Sequence, residues 1–340
     1  MMSCIKSLLR PEKRSILLYI SASVLLLLSA SLALALGSTP LSLSEILRAL
    51  LGTDKTSVAS RVFLYVRLPR ALGSLVCGGA LALSGAVIQG VLSNRLASPS
   101  VIGVNAGAAL AVTLCAAFGL AGGILLSLFS FLGAFAAVLL VSLGAKKWGA
   151  SRGTVILMGV AMNALLGAIT DAVTVFYPDI AVWGIDFKVG DFSSVTYARL
   201  LPAAAVILLV SGILMMLQNE LSVLSLGEDN ARGLGLNAAL MRPLLLLLAA
   251  ALAGAAVSVC GLLSFVGLLV PHAVRRMMGS SRHLLPLSLL FGSGFVCLSD
   301  TLARVVLMPY EIPVGIIMSV IGAPFFIWIL VRTKGGRTDA

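Results

Sequence analysis

The sequence has few charged residues. Only 11% of its 340 residues are Asp, Glu, Lys or Arg, whereas 59% are hydrophobic. A soluble domain has about 25% charged and 45–50% apolar residues, so most of this chain must lie in lipid. Because a spanning helix takes roughly 20 apolar residues, no sizeable soluble domain fits in the remainder.

The residues that build common catalytic and metal sites are also scarce. There are two histidines and five scattered cysteines, and no CxxC pair occurs. This excludes a disulfide framework and gives no indication of a metal site. The GxxxxGK[ST] phosphate loop, HExxH and GxSxG are missing as well. We therefore expect no cofactor, no bound metal and no catalytic residues, so the chain is not predicted to be an enzyme.

The net charge is nevertheless +11. In a soluble protein such an excess suggests nucleic acid, but no basic stripe with interleaved aromatic residues is present, and we predict no nucleic-acid partner. Multi-pass membrane proteins concentrate Lys and Arg in cytoplasmic loops, where the lipid surface is anionic. The charge therefore indicates orientation and contact with membrane lipid.

Ten apolar runs predict ten membrane-spanning helices. With the N-terminus inside, roughly two thirds of the 24 Lys and Arg residues lie on the cytoplasmic side, which predicts that both termini are cytoplasmic. The first run is too long for the apolar region of a signal peptide, so we expect it to remain uncleaved. The predicted spans are 16–36, 69–91, 99–118, 121–143, 154–177, 200–217, 243–262, 264–278, 284–306 and 313–331.

Two of the predicted connecting segments have structure of their own. Leucines and Ile46 recur at helical spacing in 43–51, which predicts a short amphipathic helix on the outer surface. Residues 178–198 are expected to form a second outer loop. The longest inner loop, 218–240, mixes apolar residues with glycines. It is typical of a short cytoplasmic helix on which a soluble partner docks, although an ordinary connector remains an alternative.

Two carboxylates fall inside predicted spans, where ionisable residues are candidates for function. Asp300 lies four residues before Arg304 on the same helix face, which favours a structural ion pair. Asp171 has no evident partner; it either lines a polar pathway or lies near the outer end of its span. A cluster of basic residues at 61–70 on the outer side departs from the usual charge distribution and requires a reason.

Four segments together resemble the FecCD family, the permease subunits of ABC importers for iron chelates, heme and cobalamin. The resemblance covers nearly the whole chain, in the same order and with similar spacing. One departure is the turn Asn94-Arg95-Leu96-Ala97, where a basic residue replaces the proline of the family's usual Asn-Pro-Leu-Ala. The segments are RLPRALGSLVCGGALALSGAVIQGVLSNRLASPSVIGVNAGA (67–108), LGEDNARGLGLN (226–237), GLLSFVGLLVPHAVRRMMGSSRHLLP (261–286) and SDTLARVVLMPYEIPVGIIMSVIGAPFFIWIL (299–330).

The resemblance implies an all-α, ten-helix permease of the cobalamin and iron-siderophore importer type in the bacterial cytoplasmic membrane. It also implies a second permease subunit (identical or a paralogue), two cytoplasmic ATPases and an extracellular or periplasmic binding protein. By resemblance, Arg67, Arg70 and Arg304 would dock the binding protein; lipid-headgroup anchoring is the alternative for Arg67 and Arg70. The residues expected to couple to the ATPase are Leu226, Gly227, Glu228, Ala231, Arg232 and Gly235.

The expected cargo is a ferric siderophore or a related iron chelate, with heme and cobalamin as alternatives. A transporter driven by an ion gradient through Asp171 is a less favoured reading.

Overall fold

The computed structural model describes residues 11–51, 57–120, 122–147, 151–278 and 282–334. These residues form helices and connecting loops, and no strand occurs among them. The basic residues Lys6 and Arg10, which support the predicted orientation, lie outside the described ranges. The helices are α1 Pro11–Ala35, α2 Leu43–Leu51, α3 Val58–Val62, α4 Leu68–Leu92, α5 Val104–Ala117, α6 Gly123–Lys147, α7 Arg152–Phe176, α8 Asp179–Val189, α9 Tyr197–Met216, α10 Gln218–Ser225, α11 Glu228–Gly233, α12 Ala238–Cys260, α13 Val266–Met278, α14 Leu284–Val305 and α15 Val314–Lys334.

Seven helical stretches in these ranges are long and apolar enough to cross a membrane. They are α1, the continuous stretch from α3 to α4, α6, α7, α9, α12 and α14. The other predicted spans correspond to α5, α13 and α15, whose apolar portions are shorter. Length and composition thus support seven of the ten predicted spans.

The most buried helices, α4, α12 and α14, form the centre of the bundle. The apolar stretch that includes α4 is 83% buried, whereas that of α7 is 17% buried. Glycines allow these helices to approach closely: a Cβ on Gly85 of α4 would lie 1.8 Å from the carbonyl oxygen of Gly267 in α13. Small residues at such crossings increase van der Waals contact between backbones, which is the main attraction between helices in lipid.

A π-helical turn, Phe63–Arg67, connects α3 to α4. Pro69 follows this turn and has no N–H to donate to the carbonyl of Tyr65. The wider turn changes the hydrogen-bond register just before that position, as π-bulges do at helix irregularities. Arg67 ends this turn and Arg70 follows it, and both residues are buried.

The amphipathic helix expected at 43–51 is present as α2, with Ile46 and Ala49 buried against Phe63. The loop expected over 178–198 is only partly correct, because its first half forms α8. Pro178 precedes this helix and Asp179 occupies its first turn, a combination that favours a helix start. Phe187 is buried and anchors the helix in the core.

Candidate functional site

Two groups of charged residues lie at opposite ends of the bundle, and we call these ends the Arg70 end and the Glu228 end. At the Arg70 end, Arg67 and Arg304 cap the C-terminus of α1. Arg67 donates from Nη1 to the carbonyl oxygens of Leu34 (3.0 Å) and Ala35 (2.9 Å) and from Nη2 to that of Thr39. Cations that bind the last carbonyls of a helix satisfy groups that otherwise lack partners.

The second cap comes from Arg304, whose Nη1 donates to the carbonyl oxygens of Ala33 and Leu36, each at 3.3 Å. Its Nε lies 3.3 Å from Oδ2 of Asp300. The predicted structural pair between Asp300 and Arg304 is therefore confirmed. Both residues are almost fully buried, with exposed fractions of 0% and 2%.

Arg70 connects three carboxylates at this end. Its guanidinium group donates to both oxygens of Asp300 at 3.0–3.1 Å and to Oε2 of Glu311 at 2.6 Å. Asp191 lies 3.9 Å from Nη2. Burial alone would raise the pKa of Glu311, but hydrogen bonds from Ser38 and Arg70 hold it below its ordinary value.

The three arginines that the resemblance implies for docking are buried in this structure. Arg67, Arg70 and Arg304 are 4%, 4% and 2% exposed, and each contacts oxygen atoms of its own chain. The physical reason is that the end of α1 and the carboxylate of Asp300 need cationic partners inside the protein. The sequence analysis does not single out Asp191 or Glu311; both are acidic residues in loops, Asp191 between α8 and α9 and Glu311 between α14 and α15.

Asp171 lies apart from this cluster, near the end of α7 that faces the Arg70 end. It is exposed on the same face as Ala161, Ala164 and Ala168. Gly167, one turn before Asp171, also faces open space, since a Cβ there would meet no atom within 4 Å. Among the described residues, no group of three or more His, Cys, Asp or Glu side chains could hold a metal ion.

At the Glu228 end, α10 and α11 form the helical segment expected in the loop 218–240. Gly227 (φ +119°) and Gly235 (φ +83°) adopt conformations that side chains disfavour, and they bound α11 on both sides. Leu221 of α10 packs against Gly90 of α4, and Arg152 donates to the carbonyl oxygen of Leu224 at 3.0 Å. The segment is thus attached to α4 and α7.

A bifurcated ion pair attaches the same segment to α12. Glu228 accepts from Nη2 of Arg242 at 2.9 Å and from Nη2 of Arg232 at 2.7 Å. The hydrogen bond from Arg242 is the largest effect that holds the pKa of Glu228 below its ordinary value. The carboxylate is therefore charged at neutral pH and connects an exposed arginine to a buried one.

The predicted coupling residues divide into exposed and buried groups. Leu226 is 60% exposed, and Arg232 and Gly235 are also at the surface. Gly227 and Glu228 are half-buried, whereas Ala231, on the inner face of α11, is fully buried. Ala231 thus anchors the helix, and the exposed surface consists of Leu226, Arg232 and their neighbour Leu234.

The turn that lacks the expected proline is closed by Asn94. Its Oδ1 accepts from the backbone N–H of Leu96 at 2.9 Å, and its own carbonyl accepts from Ala97 at 3.1 Å. The hydrogen bond to the Asn94 side chain thus closes the turn without a proline. Arg95 is exposed and is not needed for the turn itself.

Comparisons with known proteins agree with this architecture. Residues 25–332 match the FecCD transport family. The hemin transport system permease protein HmuU of Yersinia pestis is 36% identical over 316 residues, which are 89% of this chain and 93% of that protein. The Fe(3+) dicitrate transport system permease protein FecC of Escherichia coli is 34% identical over 301 residues, 87% of this chain and 90% of that protein.

A solved structure has the same fold along nearly the whole chain. It is an inward-facing conformation assigned to the metal-chelate type of ABC transporter, with a TM-score of 0.81 and 32% identity. The alignment covers 94% of this chain and 99% of that one. The family match, these relatives and the shared all-helical fold show that the chain belongs to the FecCD transport family of ABC transporter permeases.

Proposed function

We propose that this chain is the permease subunit of a binding-protein-dependent importer for ferric siderophores or related iron chelates. The observation that carries the proposal is the family match over 25–332 together with relatives named for hemin and for ferric dicitrate. Heme is the second candidate cargo, because the hemin permease HmuU is 36% identical to this chain. Cobalamin remains an alternative from the resemblance alone.

The surface at the Glu228 end is suited to an ATPase partner. Leu226, Leu234 and Leu240 are each at least 60% exposed there, beside Arg232 and Asp229. Exposed apolar residues rimmed by charges are typical of protein-protein contact sites. Because the segment is attached to α4, α7 and α12, movement imposed on it would reach both central and peripheral helices.

The exposed face of α7 supports a second permease subunit, whether identical or a paralogue. Asp171 would be costly in contact with lipid tails, and the alanines beside it allow close helix packing. A second subunit, or a water-filled path between two subunits, would remove that cost. The proposal therefore places Asp171 at a subunit contact or in the pathway.

The Arg70 end is the proposed outer surface, with both chain termini in the cytoplasm. Glu311 pairs with Arg70, and its carboxylate is the most exposed acidic group of the cluster. A binding protein could therefore contact Arg70 directly only if Glu311 moved away. The arginines otherwise support docking indirectly, by fixing the loops around them.

Cysteine crosslinking tests the ATPase contact. Single cysteines at Leu226 and Arg232 should crosslink to the ATPase, because both positions are exposed. Cysteine at Ala231 is a matched control on the same helix, since that position is fully buried. Failure of both exposed positions to react with an assembled ATPase would contradict the proposed coupling surface.

A further inference from the structure

A cleft with a mostly apolar wall and three charged residues lies at the Glu228 end, beside the proposed coupling surface and sharing Glu228 with it. It is formed by the last turn of α6, the first turns of α7 and α12, and α11, and its cavity volume is about 30 Å³. Lys146 and Arg242 line it together with Glu228, and Ser142 and Ala239 form part of its wall. The cleft therefore brings two cationic side chains to the ends of spanning helices.

The groups around this cleft favour an anion. Glu228 is already shared between Arg242 and Arg232, so its charge is compensated within the chain. Lys146 adds a further positive charge, and the N-terminus of α12 contributes the positive end of its helix dipole. The buried hydroxyl of Ser142 makes no hydrogen bond within the described structure, so a donor remains for a ligand oxygen.

The surroundings of the cleft favour a lipid over a free anion. On α6, Leu143 follows Ser142 and is 55% exposed, and Leu140 one turn earlier is 53% exposed. On α12, Leu244 follows the lining residue Pro243 and is 45% exposed. A small cleft that carries Lys146 and Arg242 and is bordered by exposed leucines matches a phosphate head group with its acyl chains along the helices. Basic pockets between helices near the membrane surface bind lipid head groups in this way.

We propose that this cleft binds the phosphate group of an anionic phospholipid from the leaflet at the Glu228 end. Lys146 and Arg242 would hold the phosphate, and Ser142 would donate to one of its oxygens. The lipid would lie beside the Glu228–Arg242 ion pair and would thereby stabilise the attachment of α11 to α12. This site concerns a lipid ligand, so it does not depend on the identity of the cargo or of the ATPase.

Native mass spectrometry of the purified full-length chain tests the site with phosphatidylglycerol and phosphatidylcholine as probes. We expect selective retention of phosphatidylglycerol and about a tenfold loss of that retention in Lys146→Glu, since each basic residue near a membrane surface contributes measurably to anionic lipid binding. Lys147→Glu is the matched control, because Lys147 is the next residue and does not line the cleft. It should lose much less retention than Lys146→Glu.

A second variant, Ala239→Leu, fills the cleft without changing charge and should also reduce retention. Circular dichroism of each variant confirms that the chain is folded. Equal retention of the two lipids, or equal losses in the two lysine variants, would overturn the proposal. Displacement of phosphatidylglycerol by millimolar inorganic phosphate would assign the cleft to a free anion and overturn the lipid assignment. Loss of ATPase binding in Ala239→Leu with unchanged lipid retention would likewise overturn it and assign the cleft to the ATPase.

Discussion

At the scale of single residues, the cluster at the Arg70 end balances three arginines against three carboxylates. Arg67 and Arg304 are held by the carbonyl oxygens that end α1, and Arg70 is held by Asp300, Glu311 and, at longer distance, Asp191. A buried charge is expensive unless it is paired and hydrogen-bonded. The cluster should therefore be sensitive to the loss of any one member.

Asp300→Ala should lower thermal stability strongly. Asp300 is fully buried and pairs with both Arg70 and Arg304, so its removal leaves two cations without their shared carboxylate. Loss of one partner of a buried ion pair costs about 3–5 kcal/mol. The measurement is the thermal midpoint of the purified protein in detergent.

Asp171→Asn is the control for this experiment, because it also removes a carboxylate from a spanning helix but at an exposed position. An exposed substitution of this kind changes stability by about 0.5 kcal/mol or less. Equal losses of stability in the two variants would contradict the structural role of Asp300.

Glu228→Gln should weaken coupling more than folding. The carboxylate is one-third exposed, so its ion pairs add only about 1 kcal/mol to stability. It is nevertheless the charged connection between α11 and the buried Arg242. We expect the assembled transporter to retain ATP hydrolysis while transport per ATP falls several-fold, measured in proteoliposomes.

The neighbouring Asp229→Asn is the matched control, since Asp229 is exposed on the same helix. It should leave transport per ATP unchanged. The hydrogen bond from Arg242 lowers the pKa of Glu228, so the ion pair is present at neutral pH and is lost only as pH falls through that lowered pKa. A change in coupling between about pH 6 and pH 8 that disappears in Glu228→Gln would contradict this assignment.

At the scale of helices, the central crossings depend on glycine. Besides Gly85 and Gly267, α4 and α14 meet at Gly78 and Gly292, where a Cβ on Gly78 would lie 2.5 Å from the carbonyl oxygen of Gly292. Gly107 and Gly133 form a similar contact between α5 and α6, with distances of 2.3 and 2.4 Å. Since interiors are close-packed, such contacts cannot accept an additional methyl group without moving a backbone.

Gly85→Ala should therefore destabilise the bundle by about 3 kcal/mol or more, because overpacking at a backbone contact cannot be relieved by a rotamer change. It would also disturb the hydrogen bond from Nε2 of Gln89 to the carbonyl oxygen of Gly267, which is 3.2 Å long. The thermal midpoint in detergent is again the measurement.

Gly167→Ala provides the comparison, because a Cβ at this helical position meets no atom within 4 Å. Alanine there should be neutral or stabilising by about 0.5–1 kcal/mol through its helix propensity. If Gly85→Ala were as stable as Gly167→Ala, the close crossing of α4 and α13 would be refuted.

The sequence predicts the long helices well, because an apolar run of 20 residues has few other stable forms in lipid. It also predicts α2 and the Asp300–Arg304 pair, both of which follow from helical spacing. It misses α8 and the burial of Arg67 and Arg70. Those features depend on contacts between residues far apart in sequence, such as Arg70 with Asp300, which spacing along one helix does not contain.

At the scale of the whole molecule, the two ends of the bundle are connected through the central helix α4. It begins at Leu68, two residues before Arg70, and ends beside α10, where Ser93 donates from Oγ to the carbonyl oxygen of Ser225 at 3.3 Å. A rigid helix that contacts both ends can transmit rocking of the bundle between them. This arrangement suits the proposed function, in which cargo is received at one end of the bundle and force is applied at the other.

The most direct test of the account is uptake of radiolabelled ferric siderophore, ferric citrate and heme into proteoliposomes. The vesicles contain this chain with its ATPase, and the cognate binding protein is added outside. We predict uptake of an iron chelate that requires both internal ATP and the binding protein. Uptake driven by an ion gradient without the ATPase, and abolished by Asp171→Asn, would contradict the account.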